Sequence, residues 1–477
     1  MKRLRWHDYI SINIYWLGLN MVSGSMTPII LPLLVQQFVP DAVKNTFYGN
    51  LRFYGLMVAL LVQPLAGMLS DRFRSRLGRR RPFIIAGALL NLLFIAAVGI
   101  AGGYAALFVA TLLLQVSSNV AHGALQGLIP DLVPEDQRGR ASAVKAIMEL
   151  LPVIVIAFTV ARLVGAGQMW AALLLVAGAV LATMLLTVLT VREKASYEAA
   201  HTPLAEPLAR TCLLAASFLL IVQGLRVATI WVGRAVQGSL ALHLLVVGAA
   251  GLLAIVAAIV AGVWVSMWLG VGSAIRRYPS FTWWVVNRLL FLAAIGSLQG
   301  VALYFLGDVV HVANPAATTG NLMLVIGLLT VLSALPSGML CDQFGRKPLL
   351  VGSGLVAGAG IVLLMLATEL PLIYFSASLV GLAAGVFMTV NWALGTDLAP
   401  RAESGRFLGI SNLAGAGAGA VGASIGGPLT DYFNALRPGL GYQVIFGIFA
   451  VCFFLSAVVL TWVREGHATG ARESLKG

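Results

Sequence analysis

Apolar stretches of about twenty residues, broken by short clusters of charge, glycine and proline, recur from Tyr9 to Trp462. Each is long enough for the roughly 20-residue helix that crosses a bilayer. Backbone groups in lipid have to be satisfied inside their own segment, which demands helices. No stretch alternates apolar and polar residues as a membrane β-strand does. The breaks predict spans at 9–37, 47–70, 82–102, 104–128, 140–165 and 168–191. A charged stretch from Arg192 to Arg210 follows, then spans at 211–232 and 239–270. After Arg276–Arg277 come six more, at 281–307, 319–341, 347–367, 371–396, 405–430 and 442–463. The expectation is an all-α membrane protein with fourteen transmembrane helices.

Composition agrees. The 477 residues are 59% hydrophobic and 10% charged, where a soluble protein carries about 25% charged residues. The net charge of +13 does not imply nucleic acid, because the charges lie between spans rather than on a basic soluble face. With the N-terminus in the cytoplasm, 24 of the 31 Lys and Arg fall on cytoplasmic segments, as the positive-inside rule requires. One helix instead of two across 211–270 would turn Arg346–Lys347 outward, so the charge bias favours two. Both termini are then cytoplasmic, and the expected site is the plasma (cell inner) membrane. The opening MKRLRWHDYI mimics the charged start of a leader, but the apolar run after it is long and lacks a clear cleavage site, so it reads as the first span. Cys212, Cys341 and Cys452 are too scattered for a disulfide framework or metal site.

The stretch Gly67–Phe83, GMLSDRFRSRLGRRRPF, holds six arginines. Topology alone needs two or three. It also has a second copy: Gly67-Met-Leu-Ser-Asp71 recurs as Gly338-Met-Leu-Cys-Asp342, and Gly78-Arg79-Arg80 as Gly345-Arg346-Lys347. Asp131-Leu-Val-Pro134 with Arg140 recurs as Asp397-Leu-Ala-Pro400 with Arg406, nine residues from Asp to Arg in both. From Gly78 to Asp131 is 53 residues, and from Gly345 to Asp397 is 52. The offset of about 270 residues makes the chain a parallel repeat of two six-helix halves with two helices between them. Such repeats point to a transporter whose halves rock about a central site.

The doubled G-x-x-x-D…G-R-(R/K) pattern resembles the loop signature of the major facilitator superfamily, and the resemblance covers essentially the whole chain. SDRFRSRLGRRRPFI, from Ser70 to Ile84, more narrowly resembles the sucrose–proton symporters within the glycoside–cation symporters. The resemblance implies the major facilitator fold: a six-helix half at 1–191, a cytoplasmic linker at 192–210, two inserted helices at 211–278, a second half at 279–464 and a tail at 465–477. It implies a cytoplasmic gate of Gly67, Asp71, Arg72, Gly78, Arg79, Arg80, Asp131 and Arg140, repeated as Gly338, Asp342, Gly345, Arg346, Asp397 and Arg406. Gly67 and Gly338 are expected to let neighbouring helices approach closely. Asp71 and Asp342 are expected to accept charge-assisted bonds from the loop arginines, with Asp131–Arg140 and Asp397–Arg406 doing the same across the next loop. Such clusters would latch one state and break in the other.

The resemblance also implies that helices 1, 4, 7 and 10 of the repeat line the cavity. Polar stripes occur there at helical spacing: Asn13, Trp16, Asn20, Ser23 and Thr27; then Gln115, Asn119, His122 and Gln126; then Trp284, Arg288 and Gln299; and Ser378, Gly385, Trp392 and Thr396. Polar stripes in membrane helices face protein or water rather than lipid. Their alternative use is helix–helix hydrogen bonding. Lys145 and Glu149 lie one turn apart on the fifth span and are expected to pair. Glu149 is about 13 Å beyond Arg140 along the helix, and Arg288 lies at a similar depth. Glu149, Lys145 and Arg288 are therefore the proton-coupling candidates, against the alternative of a static ion pair. Asp308 and His311 end their helix together at the outer surface. The sucrose symporters carry an arginine where this chain has Gln126, and the melibiose-type relatives place aspartates in helix 2, where this chain has none before Asp71.

The reading is a secondary active transporter that moves a small polar solute, a sugar or glycoside, by alternating access and proton symport. The alternatives are a proton-coupled drug or metabolite exporter, disfavoured because the fifth span lacks a GPxxGG run, and a non-transporting membrane protein. The sequence contains no nucleotide-binding loop, cofactor or metal motif and no catalytic constellation, so no enzyme activity is expected. The expected partners are the solute, the proton and membrane lipid, and a monomer is expected.

Overall fold

A computed structural model describes residues 4–193, 205–400 and 404–464. The tail at 465–477 and most of the 192–210 linker lie outside the described residues. We number the long helices α1 (Trp6–Phe38), α2 (Asp41–Arg72), α3 (Arg81–Gly99), α4 (Tyr104–Leu132), α5 (Glu135–Gly165), α6 (Met169–Thr190), α7 (Ala205–Ala235), α8 (Leu240–Gly270), α9 (Pro279–Asp308), α10 (Pro315–Cys341), α11 (Arg346–Leu366), α12 (Leu370–Leu398), α13 (Ser404–Leu436) and α14 (Leu440–Trp462). Thirteen of these are long and apolar enough to cross a membrane on their described residues, and α13 is the fourteenth long helix. Several run past their predicted ends. α2 continues through Asp71 and Arg72, and α4 reaches Leu132 through a turn at Gln126–Gly127, because the charged motif residues are themselves helical.

Local chemistry explains the irregularities. Pro28 offers no N–H, and α1 passes it through a π-turn at Met26–Ile30. Pro64 and Pro152 interrupt the second and fifth helices of the first repeat, and Pro336 and Pro428 interrupt the corresponding helices of the second. Gly78 and Gly345 have φ of 100° and 86°. These left-handed turns cost glycine little and other residues more, which explains why both copies of the motif place glycine there.

The chain forms two compact units. The first comprises Met1–Ala216, Leu298–Leu324 and Gly426–Gly441. Within it α1 packs on α5 and α6, and α4 on α2 and α3. The close crossing of α2 and α4 is made by Gly123, where a Cβ would lie 2.4 Å from the Gln63 carbonyl oxygen. Gly67 was expected to make such an approach, but a Cβ there would meet its nearest neighbour at 3.6 Å. Gly338, its repeat partner in the second unit, stands at 3.9 Å. Both are ordinary contacts, although Gly67 does lie at the α2–α4 crossing, where a Cβ on Gly123 would come 2.9 Å from its backbone nitrogen.

The second unit comprises Ser217–Ser297, Val325–Ile425 and Tyr442–Gly477. Its core includes a three-helix aromatic cluster. Phe291 of α9 stacks on Phe387 of α12 at 3.7 Å and meets Phe453 of α14 edge-on at 4.8 Å. The inserted helices attach through Phe218 of α7, which lies against Gly262 of α8 and Gly417 of α13. Trp231, Trp264 and Trp268 on the inserted pair are exposed.

Candidate transport site and its motif braces

The arginine loop forms a brace inside the first unit. The positive-φ turn at Gly78 reverses the chain after α2 and carries Arg79 and Arg80 to the end of α4. Arg79 binds both carboxylate oxygens of Asp131, through Nε at 3.0 Å and through a second, shorter bond. Arg80 donates from Nε to Asp131 at 2.9 Å and from Nη1 to Ser70 Oγ at 2.5 Å, and also pairs with Asp71. Arg72 turns back onto the Met68 carbonyl of its own helix at 3.2 Å. Glu193 completes the brace by accepting the backbone N–H groups of Arg79, Arg80 and Arg81 at 2.8, 2.9 and 2.8 Å. These are amides at the start of α3, where the helix leaves donors unsatisfied. Glu193 carried no sequence signal, since its partners lie 112 to 114 residues away.

The second unit repeats the plan. Arg346 pairs with Asp397 and donates to the Ala393 carbonyl at 2.8 Å, and Lys347 donates to the Val463 carbonyl at 3.0 Å. The expectation that Asp131 pairs with Arg140 is therefore corrected: Arg140 is exposed near the start of α5, while Arg79 and Arg80 occupy the carboxylate. Asp397 likewise takes Arg346. The side chains of Asp342 and Arg406 lie outside the described residues.

Also in the first unit, α1, α4 and α5 bring a polar group around one indole. His122 meets Trp16 edge-on at 5.0 Å, and Lys145 Nζ lies 4.1 Å from the centre of the Trp16 ring. Lys145 pairs with Glu149 at 3.3 Å, and His122 and Gln126 are 3.2 Å apart. Lys145 and Glu149 are each about one-third exposed, at 31% and 35% of their side chains, so the pair remains reachable. Asn20 donates to the Trp16 carbonyl at 2.9 Å. The predicted α4 stripe divides: Asn119 is buried and folds back on Gln115, whose side chain packs toward Gly55 of α2. Asn13 is fully buried and ties α1 to the Ala141 carbonyl of α5 at 3.1 Å, a packing role.

The second unit holds a polar ladder across α9, α12 and α14. Arg288 Nη1 donates to Asn391 Oδ1 at 3.1 Å, Asn391 Nδ2 to Asn287 Oδ1 at 2.8 Å, and Asn287 Nδ2 to the Ser456 carbonyl at 2.7 Å. Trp284 is fully buried and donates to the Asn391 carbonyl at 3.0 Å. It was expected to face the solute, but its ring is enclosed against Gly395 and it is a packing residue. Trp392, 38% exposed and 5.3 Å from the Arg288 guanidinium, is the accessible aromatic group. Gln299 is exposed and belongs to the first unit. Asn287 and Asn391 were absent from the predicted site.

At the end of the first unit remote from the arginine loop, Lys44 pairs with Asp308 at 2.8 Å and with Asp41 at 3.3 Å. Asp431 of α13 accepts from Asn45 Nδ2 at 2.9 Å and from the Thr46 N–H at 2.7 Å, which caps the first turn of α2. Tyr304 of α9 donates to the Pro32 carbonyl at 2.7 Å. Asp308, which ends α9 three residues before His311, takes Lys44, and His311 turns to the Gly307 carbonyl at 3.1 Å.

Long apolar helices carrying paired polar groups within their spans and a charged brace repeated in sequence define a helical membrane transporter. The sequence pattern of the Major Facilitator Superfamily matches residues 16–313 and 289–476, and the chain belongs to that family. Stretches of it are similar to sugar transporters of that family. The general alpha-glucoside permease of Schizosaccharomyces pombe is 35% identical over 105 residues, 19% of this chain and 19% of that one. The proton-associated sugar transporter A of Homo sapiens is 40% identical over 78 residues, 16% of this chain and 10% of that one. The matched stretches thus span a fifth or less of these relatives. A crystal structure of a POT family transporter in complex with 5-aminolevulinic acid superposes with a TM-score of 0.68 over 95% of each chain, at 13% identity, and shares the fold.

Proposed function

We propose that this transporter moves a sugar or glycoside by alternating access, in symport with protons, across the plasma (cell inner) membrane with both termini cytoplasmic. The observation that carries the reading is the group on α1, α4 and α5, where Trp16, His122, Gln126, Lys145 and Glu149 converge inside helices that otherwise read as membrane spans. An ionisable carboxylate at membrane depth is expensive and marks a pathway or relay. Glu149 is held by one cation, Lys145, which also lies over an indole that supports its charge when the carboxylate is neutral. That geometry suits a carboxylate that gains and loses a proton while its partner keeps a second contact. The exposed Gln126 supplies hydrogen-bonding chemistry that a sugar needs, while Trp16 is buried and backs Lys145 and His122.

The braces at Arg79–Asp131 and Arg346–Asp397 join elements within one repeat each. We assign them to holding each half rigid as it rocks, with the monomer as the working unit. The relatives named above support the solute class by their names. The test is uptake of radiolabelled disaccharides and glycosides into proteoliposomes under an imposed proton gradient, for wild type and Glu149→Gln. Accumulation that the variant loses while it still exchanges sugar supports symport through Glu149. Undiminished accumulation in the variant reduces Glu149 to a static ion pair. Absence of any sugar accumulation by folded protein refutes the sugar reading and favours export or another solute.

A further inference from the structure

Arg288 is a charged group well inside a span. It is the tenth residue of α9, about 14 Å along a helix that continues for twenty more residues. Lys145 has Glu149, and Lys44 has Asp308. Arg288 makes no ion pair among the described residues. One guanidinium nitrogen is held by the neutral amide of Asn391, and Nε is buried with no hydrogen-bond partner. An arginine is always charged, and its planar fork matches a carboxylate or phosphate bidentately. A charge placed within a membrane span without a counter-ion is costly, and a buried donor left unmade costs further.

The surroundings prepare the group for an incoming partner. Asn391 is itself fixed by Asn287, which is fixed by the Ser456 carbonyl, so the acceptor that aims Arg288 is rigid. Two indoles flank the guanidinium, Trp284 at 5.9 Å and Trp392 at 5.3 Å. Trp284 is enclosed, and the exposed ring of Trp392 offers a flat apolar face beside the charge. A cation with an unsatisfied donor next to an aromatic face fits a ring that bears an anionic group. Neutral hydroxyls would leave the charge uncompensated.

We propose that Arg288 and Trp392 form a subsite for an acidic sugar: the carboxylate or phosphate of the solute pairs with Arg288 while its ring lies on Trp392. This deepens the sugar reading and rests on it. It also moves Arg288 from proton coupling to solute binding, since among the described residues no carboxylate pairs with it.

The experiment measures competition with, and accumulation of, three probes in proteoliposomes: methyl glucuronide, glucose 6-phosphate and methyl glucoside. Melting temperature in detergent is recorded with each probe. The expected result is that an acidic probe competes at least tenfold better than methyl glucoside and raises the melting temperature more. The better of the two acidic probes then tells carboxylate from phosphate. Arg288→Gln should abolish the acidic preference, and Arg288→Lys should retain part of it. Trp392→Ala should weaken acidic and neutral probes together, and Trp392→Phe should restore them. If Arg288→Gln does not fold, the wild-type preference and the Trp392 pair still decide. Neutral and acidic probes binding equally to wild type overturns the acidic subsite and leaves sugar transport standing. No response to any of the three removes this subsite along with the sugar reading, while acidic binding without gradient-driven accumulation supports the subsite and refutes symport.

Discussion

Removing the carboxylate of Asp131 tests the brace most directly. Its side chain is 11% exposed and answers two guanidinium groups, Arg79 at 17% and Arg80 at 7%. In Asp131→Ala, Arg79 loses both of its carboxylate bonds, and Arg80 keeps Asp71, which is 40% exposed, Ser70 and the Gly67 carbonyl. Two cations then face each other in a mostly buried site with one partly wet counter-ion. Breaking a buried pair by deleting one partner costs about 3–5 kcal/mol, because the remaining charge is uncompensated. Each 1.4 kcal/mol is about tenfold in the equilibrium constant, so Asp131→Ala should shift unfolding by roughly a hundred- to several-thousand-fold. Asp131→Asn keeps an acceptor and should lose about half of that energy. Glu135→Ala is the control. Its pair with Arg138 is 3.6 Å apart and its side chain is 88% exposed, so it should change stability by less than about 1 kcal/mol. The assay is equilibrium unfolding in mixed micelles followed by tryptophan fluorescence. A double-mutant cycle with Arg79→Gln isolates the pairwise term. An Asp131→Ala protein within about 1 kcal/mol of wild type, or a cycle with no coupling, would refute the brace.

Three further outcomes are expected. Glu193→Ala should cost about 0.5–2 kcal/mol, the scale of losing a helix cap, and should speed hydrogen exchange at the amides of Arg79, Arg80 and Arg81 while leaving distant helices unchanged. Gly123→Ala forces a Cβ to 2.4 Å from the Gln63 oxygen and should cost about 1–3 kcal/mol in the same titration. Gly67→Ala, with 3.6 Å of room, should stay within about 0.5 kcal/mol, and the reverse order would overturn the placement of the helix crossing. Asp431→Ala strips the acceptor from Asn45 and Thr46, should cost about 1–3 kcal/mol, and should increase labelling of a cysteine placed at Thr46 by a membrane-impermeant maleimide.

The helices were legible because lipid leaves the backbone no other choice, and their number follows from apolar length and the placement of charge. The doubled motif was legible because Gly78 and Gly345 occupy a backbone conformation that selects glycine in both copies. The pairing of Lys145 with Glu149 was legible because helical neighbours four residues apart share a face. Partner choice across the fold was not. Asp131 has Arg140 nine residues away in sequence, yet it binds Arg79 and Arg80, 52 and 51 residues distant, because the turn at Gly78 brings them back. Helical spacing put Trp284 and Trp392 on the same footing as cavity residues, but packing encloses one and exposes the other.

By itself the sequence determined what is local or periodic: the helical class, the spans, the internal repeat and the charged loop. Tertiary structure alone decided which charges meet across helices. Lys44 and Asp308 are 264 residues apart, and Asn45 and Asp431 are 386 apart. The physical reason is that helical period assigns each side chain to a face, whereas the identity of the neighbour on that face depends on how the whole bundle packs.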